Sequence, residues 1–376
     1  NYVDKFNKEE THYLTNDNPY FQMIGRAINR DTTIREEYDR NEHDTKHIHW
    51  DTLKHIHDNL QEYKRSSKLQ DFNDIIKNVL SKDINFEVVF IDEAQDLSPL
   101  QWKLYDKLKE NSKDIYLAGD DDQAIFAWAG ADVNRFINEP AKEKVLKYSK
   151  RISKAVQDES TVIVNRIMGQ RKLKDYLPKS DEGEAFHINN ISQVDLTKGK
   201  WLILSRTKSN MLRIMDELRH KNLYYETNKG KSYKVKIYKA KRYYDEWKSG
   251  KELEEKNVKD VKEFTGDVSW DKTVSWYDAF VNANVIEKNY IRQLLERGER
   301  LDENARIWVS TIHAIKGGEE DNVILSLEQG DKIQKAIKRS LDKQDEEHRV
   351  WYVGATRARH NLYKLKAKIT RKGYQL

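Results

Sequence analysis

The chain has 376 residues, with 68 Lys and Arg against 63 Asp and Glu, a net charge of +5 and no cysteine. Absent thiols exclude disulfides and thiolate metal sites and point to a reducing compartment such as the cytoplasm. Charged residues make up 35% and hydrophobic ones 38%, no apolar run approaches a membrane span, and the polar start Asn1-Tyr2-Val3-Asp4 carries no secretory pattern, so no membrane partner is expected.

Residues 1–65 are charged and helical in pattern. Trp50, Leu53, Ile56, Leu60 and Tyr63 recur every three or four positions and form one apolar helix face. His43, His47, His49, His55 and His57 cluster here without the Cys or carboxylate spacing of a metal site, and read as surface histidines. A second amphipathic helix opens at Asp71-Phe72-Asn73-Asp74-Ile75-Ile76. The run Val88-Val89-Phe90-Ile91 has no polar face, so it reads as a strand covered on both sides. It ends in Asp92-Glu93-Ala94-Gln95-Asp96. Ser98, Pro99 and Gln101 then supply a cap, a first-turn proline and a capping box for the next helix. The two carboxylates thus sit at the carboxyl end of a strand, where open α/β sheets bind ligands. One can hold Mg²⁺ and its neighbour can deprotonate a water molecule; a solvated acidic loop is the plainer alternative.

Asp114-Ile115-Tyr116-Leu117 predicts a second buried strand, ending at Gly119-Asp120 and followed by Asp121, Asp122, Gln123, Phe126, Trp128 and Gly130. Val145-Leu146-Lys147-Tyr148 leads to Arg151 and a helix through Val162, Ile163 and Ile167, and residues 178–199 read as a polar loop. Trp201-Leu202-Ile203-Leu204-Ser205-Arg206 is a strand, and Met211, Ile214, Met215 and Leu218 share a helix face. Residues 229–300 are rich in Lys, Glu, Tyr and Trp and predict an inserted helical subdomain. Strands follow at Arg306-Ile307-Trp308-Val309-Ser310, Val323-Ile324-Leu325-Ser326 and Asn361-Leu362-Tyr363. Strands alternating with helices predict an α/β protein with parallel sheets.

Taken together, the polar clusters at the strand ends resemble the motifs of the UvrD/Rep/PcrA family of superfamily 1 DNA helicases, over roughly residues 70–376. Asp92-Glu93-Ala94-Gln95-Asp96 resembles the family's Mg²⁺ and catalytic-base motif. Gly119-Asp120-Asp121-Asp122-Gln123-Ala124-Ile125-Phe126-Ala127-Trp128-Ala129-Gly130-Ala131 is similar to its coupling motif. Tyr148-Ser149-Lys150-Arg151 resembles its linker arginine, with Lys150 intervening. Residues 201–206, 311–319 and 346–359 resemble the motifs of its second motor domain.

The resemblance implies two RecA-like domains. Residues 1–65 would be a helical accessory insertion, 66–140 the end of the first motor domain, and 141–376 the second, with a reduced helical insertion at 229–300. It implies ATP and Mg²⁺ as cofactors and single-stranded DNA, including single/double-strand junctions, as partner. Asp92 and Glu93 would hold Mg²⁺, with Glu93 activating water. Gln123, Arg151 and Arg357 would reach the phosphates, and Gly317 and Glu319 would meet the nucleotide, Gly318 standing where the family has Leu. Arginine suits phosphate because its planar fork pairs with two oxygens. Phe126, Trp128, Arg206, Thr311 and His313 would contact DNA, the aromatics stacking on bases of any sequence. The implied activity is 3′-to-5′ translocation driven by ATP.

One motif departs. The phosphate loop Gly-x-x-x-x-Gly-Lys-Ser/Thr does not occur; Gly230-Lys231-Ser232 fails it because Tyr225 stands at the first glycine. Three explanations stay open: part of a longer helicase, a partner chain that supplies the loop, or a non-hydrolysing single-strand DNA-binding relative.

Overall fold

The structure is a computed structural model that describes residues 18–40, 48–174, 176–267 and 269–376. It divides into two compact units. The first takes Asn1–Val145, Ile167–Lys174 and Asp345–Val350, and the second Leu146–Arg166, Asp175–Gln344 and Trp351–Leu376. Among the described residues no helix is long and apolar enough to cross a membrane.

In the first unit, helix Pro19–Asn29 starts at a cap, with the Asn18 side chain accepting from the Tyr20 amide. It packs Met23 and Ile24 against Ile48 and Leu53, with Trp50, Ile56 and Leu60 closing the cluster. The predicted face of helix Trp50–Ser66 is thus the buried one, except that Tyr63 stays exposed. The carboxylate of Glu37 is fully buried and answered by Arg26 and Arg30 at 3.0 and 2.7 Å. Of the histidine cluster, His43 and His47 lie outside the described residues. His55 pairs with Asn59 at 2.9 Å and His57 with Asp58 at 3.1 Å.

Strands β1 (Phe86–Ile91) and β2 (Ser112–Leu117) form a two-stranded parallel sheet, in register from Phe86↔Ser112 to Ile91↔Leu117. The expectation that both strands are covered is overturned. Phe90 is 77% and Tyr116 54% exposed, their rings stacked with centroids 5.0 Å apart. Helix Phe72–Leu80, capped by a box between Asp71 and Asp74, also buries none of its side chains. The apolar run is a strand as expected, but among the described residues its sheet has two strands, and two strands cannot cover their own faces.

The second unit holds a seven-stranded sheet. Its strands are β3 (Glu184–Ile188), β4 (Trp201–Ser205), β5 (Tyr225–Thr227), β6 (Gly230–Lys231), β7 (Ile307–Thr311), β8 (Glu320–Ser326) and β9 (Ala358–Leu365), in the order β3-β9-β8-β4-β7-β5-β6. All pairings are parallel except the β5–β6 hairpin. Strand β4 lies between β8 and β7 and all five of its residues are buried, as its unbroken apolar run requires. Helix Lys208–His220 places Ile214 and Leu218, with Met211 and Met215, on that core.

Two expectations need correction here. Residues 178–199 contain β3, an edge strand whose Glu184-Ala185-Phe186-His187-Ile188 is too polar to stand out from a loop. The helix after Arg151 is Lys154–Val164, and Ile167 lies beyond it. Between β6 and β7, four helices (Val235–Lys248, Glu255–Thr265, Trp276–Ala279, Val285–Glu296) enclose a second core. That core takes in Tyr233, Tyr244, Phe264, Phe280 and Tyr290, with Trp247, Trp270 and Trp276 against it. Much of the aromatic surplus is therefore packing rather than base-stacking surface.

Candidate active site

In the first unit, β1 ends at Asp92 and Glu93, both exposed. The chain reverses through Glu93 in the left-handed region (φ 53°), which is sparse for a residue with a side chain. The Glu93 amide donates to the Asp92 carboxylate at 2.8 Å. A short 3-10 turn, Ala94–Asp96, then hands over to helix Pro99–Glu110, where Ser98 and Gln101 form the expected capping box. Strand β2 ends alongside, its Ala118 amide donating to the Ile91 carbonyl at 2.8 Å, and the Ala94 amide donating to the Ala118 carbonyl at 3.0 Å. The Asp92–Glu93 and Asp120–Gln123 loops therefore lie next to each other. The Gln123 amide donates to Asp120 Oδ2 at 2.8 Å.

Gly119 is required by this approach. A Cβ there would stand 2.5 Å from Gln95 Oε1, 2.9 Å from Phe136 Cζ and 3.2 Å from the Ala94 nitrogen. Gly119→Ala is expected to destabilise the chain by about 1–3 kcal/mol, the cost of overpacking, as read by urea unfolding. An unchanged midpoint would show that the two loops part easily.

Sequence reading missed the ionic cluster behind Gln123. Asp121 and Asp122 are buried. Arg171 grips Asp122 with two bonds of 3.0 Å, and the Lys172 amide donates to Asp121 Oδ2 at 2.9 Å. Lys174 reaches Asp120 at 2.5 Å, Asp122 at 3.1 Å, and Asp121. Burial opposes the Lys174 charge, but the three carboxylates outweigh it and hold the ammonium above its ordinary range. Burial pushes Asp122 up, against the pull of Arg171 and Lys174. Arg349 donates to the Asp121 carbonyl at 3.0 Å and to that of Gln170 at 3.1 Å. Sequence separations of about fifty and more than two hundred residues hide this cluster from any local pattern.

Beyond Gln123, Phe126 and Trp128 flank the 3-10 turn Ala127–Ala129, ring centroids 6.4 Å apart and tilted by 53°. Trp128 is 42% exposed, so its ring is not a core ring. Asn29 fixes the turn through the Ala129 carbonyl at 2.8 Å.

The second unit sorts its candidates onto opposite edges of one sheet. At the carboxyl edge, Ser205 of β4 pairs with Thr311 of β7, which brings Arg206 beside Thr311 and His313. Thr311 Oγ1 accepts from the Ala314 amide at 3.3 Å. Burial, with the Arg206 cation beside it, holds the His313 imidazole far below its ordinary value, at about 3. His313 is expected to stay neutral between about pH 5 and 8, where an unperturbed imidazole titrates. An NMR titration of its ring resonances checks this, and a midpoint near 6.5 would contradict it.

At the amino edge, Glu320 of β8 pairs with Ala358 of β9. Here Arg151 meets Glu319 at 2.5 Å, while Arg359 faces Glu319 at 3.9 Å, Glu320 at 3.3 Å and Asp321 at 3.0 Å. Gly317 has φ +90°. The Gly318 amide donates to the Ile315 carbonyl at 2.7 Å, and a Cβ at Gly318 would stand 2.9 Å from Ile315 Cδ1. The turn before Glu319 is thus closed tightly by glycine. Arg357 is 1% exposed, its Nε donating to the Val353 carbonyl at 3.0 Å and its Nη2 to Thr356 Oγ1 at 3.3 Å. Gly230-Lys231-Ser232 lies in the β5–β6 hairpin region, and the Lys231 ammonium is taken by the carbonyls of Leu301 and Glu303 at 2.6 and 3.1 Å.

The profile of the UvrD/REP helicase N-terminal domain matches residues 3–145, and that of the UvrD-like helicase C-terminal domain matches residues 128–368. The chain belongs to the UvrD-like helicase family. It is 26% identical over 197 residues to the ATP-dependent DNA helicase PcrA of Leuconostoc citreum, which covers 44% of this chain and 26% of the relative. It is 34% identical over 85 residues to the ATP-dependent DNA helicase Rep of Buchnera aphidicola subsp. Baizongia pistaciae, covering 20% of this chain and 13% of the relative. Against the RecBCD enzyme subunit RecB of Buchnera aphidicola subsp. Acyrthosiphon pisum, identity is 33% over 109 residues, 26% of this chain and 9% of the relative. The matched stretches thus span about a quarter or less of each of these relatives.

Proposed function

We propose that this chain is an ATP-driven translocase and helicase acting on single-stranded DNA, moving 3′ to 5′, or the C-terminal portion of one. The observation that carries it is the adjacency of Asp92-Glu93 and Asp120-Gln123 at the carboxyl ends of two parallel strands. The second unit supports it with Arg151, Glu319 and Arg359 gathered at one sheet edge.

The residues fit Mg²⁺ and a triphosphate in part. Mg²⁺ takes only one or two protein carboxylates and keeps several waters, which two exposed carboxylates at a strand end satisfy. In this reading ATP with Mg²⁺ supplies the free energy of a phosphoryl transfer to water, and the chain supplies position and charge. Asp92 holds the metal. Glu93 takes the proton of the attacking water. Gln123 orients on the terminal phosphate, Arg151 and Arg357 neutralise it, and Gly317 with Glu319 meets the sugar. Phe126 and Trp128 stack on bases, and Arg206, Thr311 and neutral His313 contact the strand. Residues 1–65 read as the accessory helical insertion, 66–140 as the end of the first motor domain and 141–376 as the second, with a reduced helical insertion at 229–300.

The phosphates need an amide and lysine cradle that the sequence does not contain. We assign that cradle to a further segment or a separate chain, which adds strands to the first sheet. The uncovered faces of β1, β2 and helix Phe72–Leu80 support this reading. The test is ATP hydrolysis stimulated by single-stranded DNA, with this chain alone and with a strand-plus-phosphate-loop segment added. Weak turnover alone and strong turnover with the segment is expected. Full turnover by the chain alone would place the phosphate site elsewhere. Binding of single strands indifferent to nucleotide in both cases would favour a non-hydrolysing DNA-binding protein.

A further inference from the structure

Between the two carboxylate loops of the first unit lies a side chain to which nothing above gives a role. Gln95 is fully buried. Both ends of its amide are used. Its Nε2 donates to Glu93 Oε2 at 2.5 Å, with Asp96 Oδ2 farther off at 3.5 Å, and its Oε1 accepts from the Asp120 backbone amide at 2.9 Å. Asp120 in turn accepts from Gln123 Nε2 at 2.8 Å and from the Asp122 amide at 3.2 Å. A continuous chain of bonds therefore runs from Glu93 through Gln95 and Asp120 to Gln123.

Two features show that the fold is arranged around this amide. Gly119 leaves open the space that Gln95 Oε1 occupies. Glu93 sits in the left-handed region, a conformation that persists only where its surroundings enforce it. A carboxylate on an exposed strand-end loop would otherwise sample several rotamers.

We infer that Gln95 is a positioning residue that fixes the Glu93 carboxylate and ties it to the Gln123 loop, so that proton acceptor and phosphate sensor move as one piece. This rests on the motor reading for what Glu93 does, but the bonds themselves stand without it. The amide does two separable jobs, donating to Glu93 and accepting from Asp120.

Two variants of the full chain separate them. Gln95→Met has neither donor nor acceptor. Gln95→Glu keeps an acceptor for Asp120 and sets a like charge beside Glu93. Two readouts need no turnover, namely hydrogen exchange at the Asp120 amide and the carbon-13 relaxation of the Glu93 side chain. Gln95→Met is expected to speed exchange at Asp120, Gln95→Glu to leave it slow, and both to loosen the Glu93 side chain, since its carboxylate loses the donor that holds it. In DNA-stimulated hydrolysis, supplemented with the phosphate-loop segment, both variants are expected to lose roughly 100-fold in kcat, as misplacement of a reacting group does. KM for ATP is expected to stay within about twofold, because the defect is in the chemical step rather than in binding.

A Gln95→Glu chain with normal kcat would overturn the proposal and leave Gln95 a structural tie only. A Glu93 side chain that stays equally ordered in both variants would overturn it as well. If the unaltered chain shows no DNA-stimulated turnover while the Glu93 side chain loosens as expected, the motor reading fails and Gln95 still positions Glu93.

Discussion

Glu93→Gln is expected to abolish DNA-stimulated ATP hydrolysis while leaving nucleotide binding intact. The substitution keeps the shape and the left-handed turn of the loop (φ 53°) but removes the acceptor for a water proton. A positioned general base contributes about 10²- to 10⁴-fold, so turnover should fall by that factor. Asp92 remains beside it to hold the metal, so the affinity of a fluorescent ATP analogue should change little. Turnover measured together with analogue binding separates the two effects. Unchanged turnover would remove Glu93 from the mechanism, and lost binding would make it a metal ligand first.

The second large effect is on stability. Lys174→Met would take the ammonium away from Asp120, Asp121 and Asp122 and leave Arg171 paired with Asp122 alone. Breaking a buried ion pair by removing one partner costs about 3–5 kcal/mol, because the remaining charge stays desolvated. Urea unfolding followed through the buried Trp102 of the same unit reads this loss. The sign of the pH dependence follows from the raised Lys174 value. A cation whose folded value lies above its unfolded one contributes fully below the unfolded value, about 10.5, and loses that contribution as pH rises through the folded one. The gap between wild type and Lys174→Met should therefore be constant from neutral pH to about 9 and narrow only in strong alkali. A gap that closes on moving from pH 7 to 9 would mean that another group carries the cluster.

Much of the fold was legible because it is written locally. The unbroken run from Trp201 to Leu204 is buried on every side, and the Ser98–Gln101 box starts a helix where its chemistry says one should start. The helix face through Leu53, Ile56 and Leu60 packs as its spacing requires. What failed was whatever depends on neighbours. Val88 and Phe90 have the composition of a covered strand and are exposed, because coverage is a property of the sheet and not of the run. Strand β3 was hidden because an edge strand with Glu184 and His187 carries little apolar signal. In the site, the residues of each motif could be named from the resemblance to the helicase motifs, and the structure adds which of them meet. Arg151 with Glu319, and Arg206 beside Thr311 and His313, are juxtapositions made by sheet register. Lys174, Arg171 and Arg349 could not have been found from the sequence, since nothing local marks a lysine that will end among three carboxylates.

The most direct measurement is the rate of ATP hydrolysis by this chain together with a phosphate-loop segment, with and without single-stranded DNA, for the unaltered protein and for Arg357→Ala. If Glu93 and Arg357 both act on the ATP phosphates, DNA raises the rate and Arg357→Ala removes that rise as completely as Glu93→Gln does. A DNA-stimulated rate that survives Arg357→Ala would contradict it.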